Sequence, residues 1–578
     1  MRFAKYRRQR VSRACLLISG CLVTAACSSK PRTDVPLLGA AVSGAGGGYI
    51  GSAGKAAGAG AAPVSGSSPL AAGSGAISGG LTGTAGGLAV GGAGAPGLAT
   101  GAGSASVLQY HNHANRDGLY VDTKFTRASA ATIAKDPSFT ATIKGPTYAQ
   151  PLYVDSPDGN DLLITATEQN EVSAFSAVTG MVVWQKTLGA PGEPGCGGSI
   201  RPLGVTGTPV IDAVSRTLFV AAMTMGNKQQ IFALGLDDGA MRPGWPVDVS
   251  TAKAGSVAFN SATQNQRGAL LIVGRTLYVP YGGHFQDCGD YHGWVVGVPI
   301  DNPAALIAFA TKGFGGGIWA PGGLASDGTS VIAATGNTMS EPGSGNSTPA
   351  TWGHGNAVLR LTPELKDIPE TQTTDFFATK DWKAQDMDGL DLGSSGPVLL
   401  TLPGATPAAL VLALGKSGKA YLLNQTNLGG VGGELQLTTV TDGGIAGGMI
   451  QAAAVYPTIT GTFAVFRATQ EPMGCKTGSG NYGALKLTAG SPPTMAVAWC
   501  SEGNGTGSPI VTSPDGMTDS VVWYFTGGRL MGVNGETGET VYRAADSLGY
   551  IDKYQTPIVA KGRLFVAASD TVHAFRLP

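Results

Sequence analysis

What this chain of 578 residues lacks narrows its possible roles before any motif is considered. Its 38 basic and 38 acidic residues cancel, so no overall field draws it to nucleic acid or to an acidic membrane. Outside the first thirteen residues there is no basic stripe that could track a phosphate backbone. No apolar run reaches the roughly 20 residues that a membrane-spanning helix needs. A Walker-type phosphate loop, a G-x-S-x-G nucleophile elbow and a C-x-x-C-H haem attachment are all missing. Long helical periodicity is missing as well. Glycine is what abounds: 90 residues of it punctuate short apolar and β-branched runs, the pattern of many short strands joined by tight turns.

The N-terminus reads as a targeting segment. Arg2, Lys5, Arg7, Arg8, Arg10 and Arg13 precede the short apolar run Ala14–Ala26, as in a cleaved secretory signal. The run ends in Leu22-Val23-Thr24-Ala25-Ala26-Cys27-Ser28, which resembles a bacterial lipobox, with Thr24 where that pattern prefers Leu. The resemblance implies acylation of Cys27 and, with Ser28 after it, delivery to the outer membrane, facing the periplasm or the cell surface. From about Lys30 to Ser106 the chain is nearly all Gly, Ala and Ser, too poor in large apolar groups to offset its ordering entropy. The expected organisation is therefore a signal over 1–27, a disordered tether over 28–106 and one folded domain over 107–578. As a random coil the tether spans about 45–50 Å.

Folded structure is expected from Val107. His111 and His113 alternate along an extended stretch, but without nearby Cys or carboxylate ligands surface hydrogen bonding is the ordinary expectation. A short helical piece is expected over Arg127–Lys135. The clearest repeat unit is Leu162–Leu188, in which LLITAT, EVSAFSA and MVVWQKTL are three strands divided by a polar turn and a TG turn, with Tyr148–Val154 as a strand before them. Related units begin near Thr206, Arg267, Ile318, Ser395, Gly447 (the weakest), Ser508 and Thr556. About eight units of roughly 40–60 residues have the period of propeller blades. The last unit has three strands and stops at Pro578, which would leave an open edge. The strand Ser138–Gly145 is free to complete it. The expected fold is all-β: an eight-bladed β-propeller of four-stranded antiparallel blades, closed by an N-terminal strand joining the last blade.

The T-x-x-N-x-V-x-A-F-x-x-x-T-G-x-x-x-W pattern of Thr167–Trp184 and the TG-x-x-x-Y element of Thr537–Tyr542 resemble the PQQ-type repeat. That repeat builds both the eight-bladed quinoprotein alcohol dehydrogenases and the BamB-type outer-membrane lipoproteins, so it speaks for fold more than for function. In the dehydrogenases a tryptophan stacks on the quinone, an Asn and an acidic residue bind Ca²⁺, an Asp is the base and a Lys or Arg bonds the quinone. By this resemblance Trp319 in GGGIW is the stacking residue and Asn337 in TGN a metal ligand. Asp386, Asp388 and Asp391 are candidates for the base, and Lys416 is the quinone-binding cation. The chemistry needs these types: Ca²⁺ takes oxygen ligands and acts as a Lewis acid, while a carboxylate accepts the alcohol proton.

Departures accompany the resemblance. The family's adjacent cysteines over the quinone reduce to Cys196 alone, and the Glu ligand is replaced by Asp287 and Asp290 around Cys288. His284 and His292 flank the same segment, and EF-hand spacing is absent around Asp386. After Cys27, four cysteines allow three pairings. Position in segments resembling the dehydrogenase pocket rim implies Cys196 with Cys288, leaving Cys475 with Cys500. The leading expectation is an exported lipoprotein whose monomeric propeller is a non-catalytic or degenerate module. It would bind a small molecule, polymer or envelope protein at its axial face, with no nucleic acid. A PQQ- and Ca²⁺-dependent alcohol dehydrogenase and a BamB-like assembly scaffold remain the alternatives.

Overall fold

Short apolar runs such as Leu162–Ala166, in which all five side chains are buried, face neighbours on both sides and so show no polar alternation. The computed structural model describes residues 105–578, apart from Cys196, 198–199, Gln286, Asn346, 445–447 and Thr477. Cys27 and the segment before residue 105 lie outside the described residues. Within them the chain forms eight four-stranded antiparallel blades arranged as a β-propeller. Blade one consists of Leu152–Val154, Leu162–Ala166, Glu171–Ser176 and Val182–Thr187, ordered from the axis outwards. The innermost strands of blades two to eight are Val210–Asp212, Leu271–Val273, Ala325–Ser326, Val398–Thr401, Ala454–Thr458, Gly505–Ser513 and Ile558–Ala560.

The core consists of the layers between blades. Leu152, Ile164, Val172 and Trp184 of blade one pack with Leu218, Val220 and Leu234 of blade two. Outer strands return to alternation: Val182 and Val183 are exposed, whereas Trp184 is buried and its indole N–H donates to the Leu236 carbonyl at 2.7 Å. The ring closes through the N-terminus. Ala134–Lys135 and Ala141–Thr142 both pair antiparallel with Thr571–Arg576, giving blade eight its fourth strand. This matches the closure expected of Ser138–Gly145. In blade six a disulfide joins Cys475 to Cys500, with Cα atoms 5.9 Å apart. Cys288 is disulfide-bonded too, and Cys196 lies outside the described residues.

Two local elements differ from expectation. The helix after Thr126 is one turn only, Arg127–Ala130, capped by the Thr126 hydroxyl, and the chain then turns into the closing strand instead of staying helical to Lys135. A second helix, Trp382–Asp388, ends at Gly389, whose φ of 64° is the left-handed geometry glycine tolerates.

A larger difference concerns the first described residues. Instead of lying on the surface, Val107–Val121 runs along the inner edges of the blades at one mouth of the axial channel. Its carbonyls accept N–H bonds from six innermost strands: Tyr153 to Val107, Ile211 to Leu108, Ser326 to Ala114, Leu399 to Asn115, Val455 to Asp117 and Val511 to Gly118, at 2.7–3.0 Å. His111 is fully buried and stacks on Tyr110, and burial lowers its pKa to about 4. His113, more exposed, bonds Asp117 at 2.8 Å. Arg116 is buried without a carboxylate. Its guanidinium donates to the carbonyls of Tyr110, Leu270 and Leu324 at 2.9, 2.9 and 2.7 Å.

Candidate functional site

The opposite mouth is built around Trp319. The glycine run before it crosses between two blades: Gly315 N–H donates to Tyr291, Gly316 N–H to Asn337, and Ile318 N–H to Tyr281. Gly315 and Gly316 have φ of 77° and 64°, which side-chain-bearing residues rarely adopt. Trp319 follows at the start of blade four's descent to Ala325–Ser326, half-buried. Two cations flank its indole. The Arg267 guanidinium lies 5.1 Å and the Lys416 ammonium 5.0 Å from the ring centroid, within cation–π range.

The Lys416 ammonium also donates to Asp391 Oδ2, and the other carboxylate oxygen accepts the Asn337 N–H at 2.8 Å. Gly336 makes this meeting possible. A Cβ there would sit 2.2 Å from Asp391 Oδ1 and 3.3 Å from Trp319 Nε1. Trp319, Asn337, Asp391 and Lys416, widely separated in sequence, therefore share one constellation.

The remaining sequence candidates divide. Asp386 is buried beneath the site and accepts from the Thr338 N–H, the Thr338 hydroxyl and the Asn356 amide at 2.8, 2.9 and 2.8 Å. Asn356 in turn accepts the Leu392 N–H, so Asp386 ties the TGN strand to the Asp391 turn. Despite these bonds, burial pushes its carboxyl up to about 7. Asp388 is exposed at the end of the second helix and takes no part. Asp287, at a left-handed φ of 50°, receives the Tyr291 hydroxyl. Burial raises its carboxyl, the Asp391 charge pushes the same way, and Lys416 and Arg267 oppose them. Asp290 is exposed, 3.7 Å from His292, outside this group. His284 Nε2 faces the Ala262 carbonyl at 3.2 Å, and His292 Nδ1 the Thr311 carbonyl at 2.8 Å.

Arg267 was not among the sequence candidates. Its signal was faint: a basic residue opening the RGALLIV unit, one blade before Trp319. The buried Arg267 Nε has no partner among the described residues, and Arg267 reaches the Gly283 carbonyl through a terminal nitrogen at 3.1 Å. Gln266 Oε1, next to it, is buried and unpartnered too. A buried N–H left unmade costs about 1–3 kcal/mol, so these groups are a local cost beside the site.

No family model matches the sequence, and no curated protein matches it. Solved structures do. A quinohemoprotein alcohol dehydrogenase, ADHIIG from Pseudomonas putida HK5, superposes with a TM-score of 0.56 at 11% identity, over 82% of this chain and 80% of that one. The chain shares the propeller fold of that structure. The quinohemoprotein alcohol dehydrogenase of Comamonas testosteroni gives 0.56 at 14% identity, over 82% of this chain and 81% of that one. A europium-containing methanol dehydrogenase gives 0.55 at 13%, over 81% and 90%. At such identities the likeness establishes architecture alone.

The residues of the site fit one half of a quinone–metal pair. A flat, carboxylate-bearing ring is suited by the Trp319 ring and the two cations beside it. A calcium ion is not. It takes 6–8 oxygens, and the carboxylates gathered here among the described residues are two, Asp391 paired with Lys416 and Asp287 bonded to Tyr291. Among the described residues no three His, Cys, Asp or Glu side chains are grouped to hold a metal.

Proposed function

We propose that this chain is an exported cell-envelope propeller that binds a planar, carboxylate-bearing quinone, or a molecule of that shape and charge, without oxidising alcohols. The observation that carries this reading is the pair of cations at Trp319, set beside a carboxylate already neutralised by Lys416. Trp319 supplies the stacking face, Arg267 and Lys416 pair with the ligand's carboxylates, and Asp386 holds the TGN strand and the Asp391 turn in register. The basic n-region and the Cys27 motif support export and lipid anchoring at the outer membrane.

A second reading is a PQQ-dependent alcohol dehydrogenase. It is favoured by the convergence of Trp319, Asn337, Asp391 and Lys416, with Asp391 placed to accept a proton. A bound quinone would supply a two-electron acceptor.

One titration separates the two. PQQ added to the full chain without metal should quench indole fluorescence saturably, and Trp319→Leu should abolish the saturable part. Dye-linked assays over an alcohol panel, with and without Ca²⁺, should then show no turnover. Absence of saturable quenching would sink the binding reading; turnover lost in Asp391→Asn would establish the dehydrogenase.

A further inference from the structure

The inner-edge ladder made by Val107–Val121 skips two blades. In six blades an innermost-strand N–H is donated to a carbonyl of this segment. The corresponding residues of blades three and eight are Ile272 and Val559, the middle residues of Leu271–Val273 and Ile558–Ala560. Their orientation follows from the hairpins. Val273 pairs with Thr276 and Ala560 with Arg563 across two-residue turns, so these closing pairs are the hydrogen-bonded ones. One residue further in, the Ile272–Leu277 and Val559–Leu564 pairs are non-hydrogen-bonded, which turns the N–H and C=O of Ile272 and Val559 away from their own hairpins and towards the axis. Neither N–H has a protein partner among the described residues.

Both residues line one cavity of about 910 Å³ at this mouth of the channel, floored by Val107 and Leu108 of the N-terminal segment. That volume is within the range of ligand clefts, about 300–1,000 Å³. Val210, Ile211 and Val273, with Ile272 and Val559, give its walls their apolar part. The cations at its rim are each shared between two carboxylates: Arg275 lies 2.9 Å from Asp212 and 2.6 Å from Asp301, and Lys561 lies 2.8 Å from Asp161 and 2.5 Å from Asp155. With both cations already taken up, the rim offers nothing to an acidic ligand. An apolar cleft with backbone N–H and C=O groups on open strand edges is instead the arrangement used for strand addition, in which main-chain bonds supply affinity and alternate side chains fill pockets.

We propose that this cleft, on the face opposite Trp319, docks an extended polypeptide segment of a partner protein, free of acidic side chains, by strand addition to the inner edge of blade three or blade eight. The partner's carbonyls would take the Ile272 or Val559 N–H, as the chain's own Val107–Val121 does for six other blades. Small and β-branched side chains suit the walls.

The test uses the full chain and a fluorescein-labelled, end-blocked hexapeptide of alternating valine and threonine. Binding should raise its anisotropy. Amide exchange at Ile272 or Val559 should slow at least tenfold when the peptide saturates, while Ile211 and Val511, already bonded to the N-terminal segment, should not change. The same peptide N-methylated at alternate amides should bind at least tenfold more weakly, as should the unmodified peptide to Ile272→Pro combined with Val559→Pro. Should the proline variant not fold, the N-methylated peptide makes the same test from the other side. Three results would overturn the proposal: both amides already protected in the free chain, no anisotropy change by about 1 mM peptide, or equal binding of the N-methylated peptide.

Discussion

Lys416 donates its ammonium to Asp391 while standing 5.0 Å from the centre of the Trp319 ring. One side chain thus serves two neighbours at the mouth of the channel, and removing it should be felt by any anion stacked there. A hydrogen bond to a charged group is worth about 1.5–3 kcal/mol, or roughly 10- to 100-fold in affinity. Lys416→Ala should weaken PQQ binding by that factor in a fluorescence titration, with Lys416→Arg recovering part of it. Arg267→Ala should do the same. A Lys416→Ala protein that binds PQQ as well as the parent would remove Lys416 from the site.

The three aspartates of the DMDGLD stretch should separate cleanly. Asp388 is exposed and outside the site, so Asp388→Asn should move stability by no more than about 0.5 kcal/mol. Asp386→Ala leaves the Thr338 N–H, Thr338 hydroxyl and Asn356 amide without their acceptor, each buried orphan costing about 1–3 kcal/mol. Its chemical-unfolding midpoint should fall clearly, and PQQ binding should weaken with it because Asn337 and Asp391 lose their common anchor. Equal midpoints for the two variants would contradict this division of roles.

That division also shows where sequence is informative. The eight units, the missing outer strand of the last one and its repair from the N-terminus are legible because blade strands are buried on both faces, and buried strands leave continuous apolar runs between turn residues. The positions of Trp319, Asn337 and Lys416 were legible by resemblance. Which aspartate joins them was not, since three carboxylates within six residues differ only in where the helix Trp382–Asp388 and the turn at Gly389 point them. Arg267 was hidden because a lone arginine before a strand carries no pattern. The N-terminal segment was hidden for a further reason: its bonds run through main-chain carbonyls, to which the side-chain alphabet is nearly blind. Even Arg116, which binds only carbonyls, looks like any surface arginine until the channel is seen.

The pH dependence of stability has two opposed contributions. Burial raises Asp386 and Glu168 to about 7 in the fold. The unfolded carboxyls release their protons near pH 4, so these two groups make stability fall as pH rises from about 4 to 7. Burial lowers His111, His284, His354 and His573 to about 4, against about 6.5 unfolded. The unfolded state then binds the extra protons between those values, and stability falls as pH drops from about 6.5 to 4. His292 is lowered too, whereas Asp287, Asp552 and His113 are raised, so the two sets oppose each other over that window and single substitutions read them separately. His354→Gln should flatten the acid side of the curve, and Asp386→Asn should remove part of the opposing slope. Variants whose midpoints follow the parental pH curve unchanged would refute these assignments.

The Cys475–Cys500 bridge closes a loop of 25 residues in blade six, for which about 3–4 kcal/mol is expected. Cys475→Ser with Cys500→Ser should lower the unfolding midpoint and increase amide exchange within Ala454–Cys500 before it does so elsewhere. Exchange that rises evenly around the ring would show that the blades open together and that the bridge has no local role.

Arg116 offers the sharpest test of the N-terminal segment as part of the ring. Its guanidinium satisfies carbonyls of Leu270 in blade three and Leu324 just before the innermost strand of blade four, and that of Tyr110 within the segment. Arg116→Met keeps most of the stem but leaves three buried acceptors unpaired, a loss of about 3 kcal/mol or more at about 1–3 kcal/mol each. Arg116→Lys, with a compact ammonium in place of the planar fork, cannot reproduce the same three bonds and should recover only part of that loss. Amides that depend on the segment, those of Ser326 and Leu399, should exchange faster in both variants. If Arg116→Met unfolds at the parental midpoint with these amides still protected, the segment merely lies in the channel and does not hold the blades.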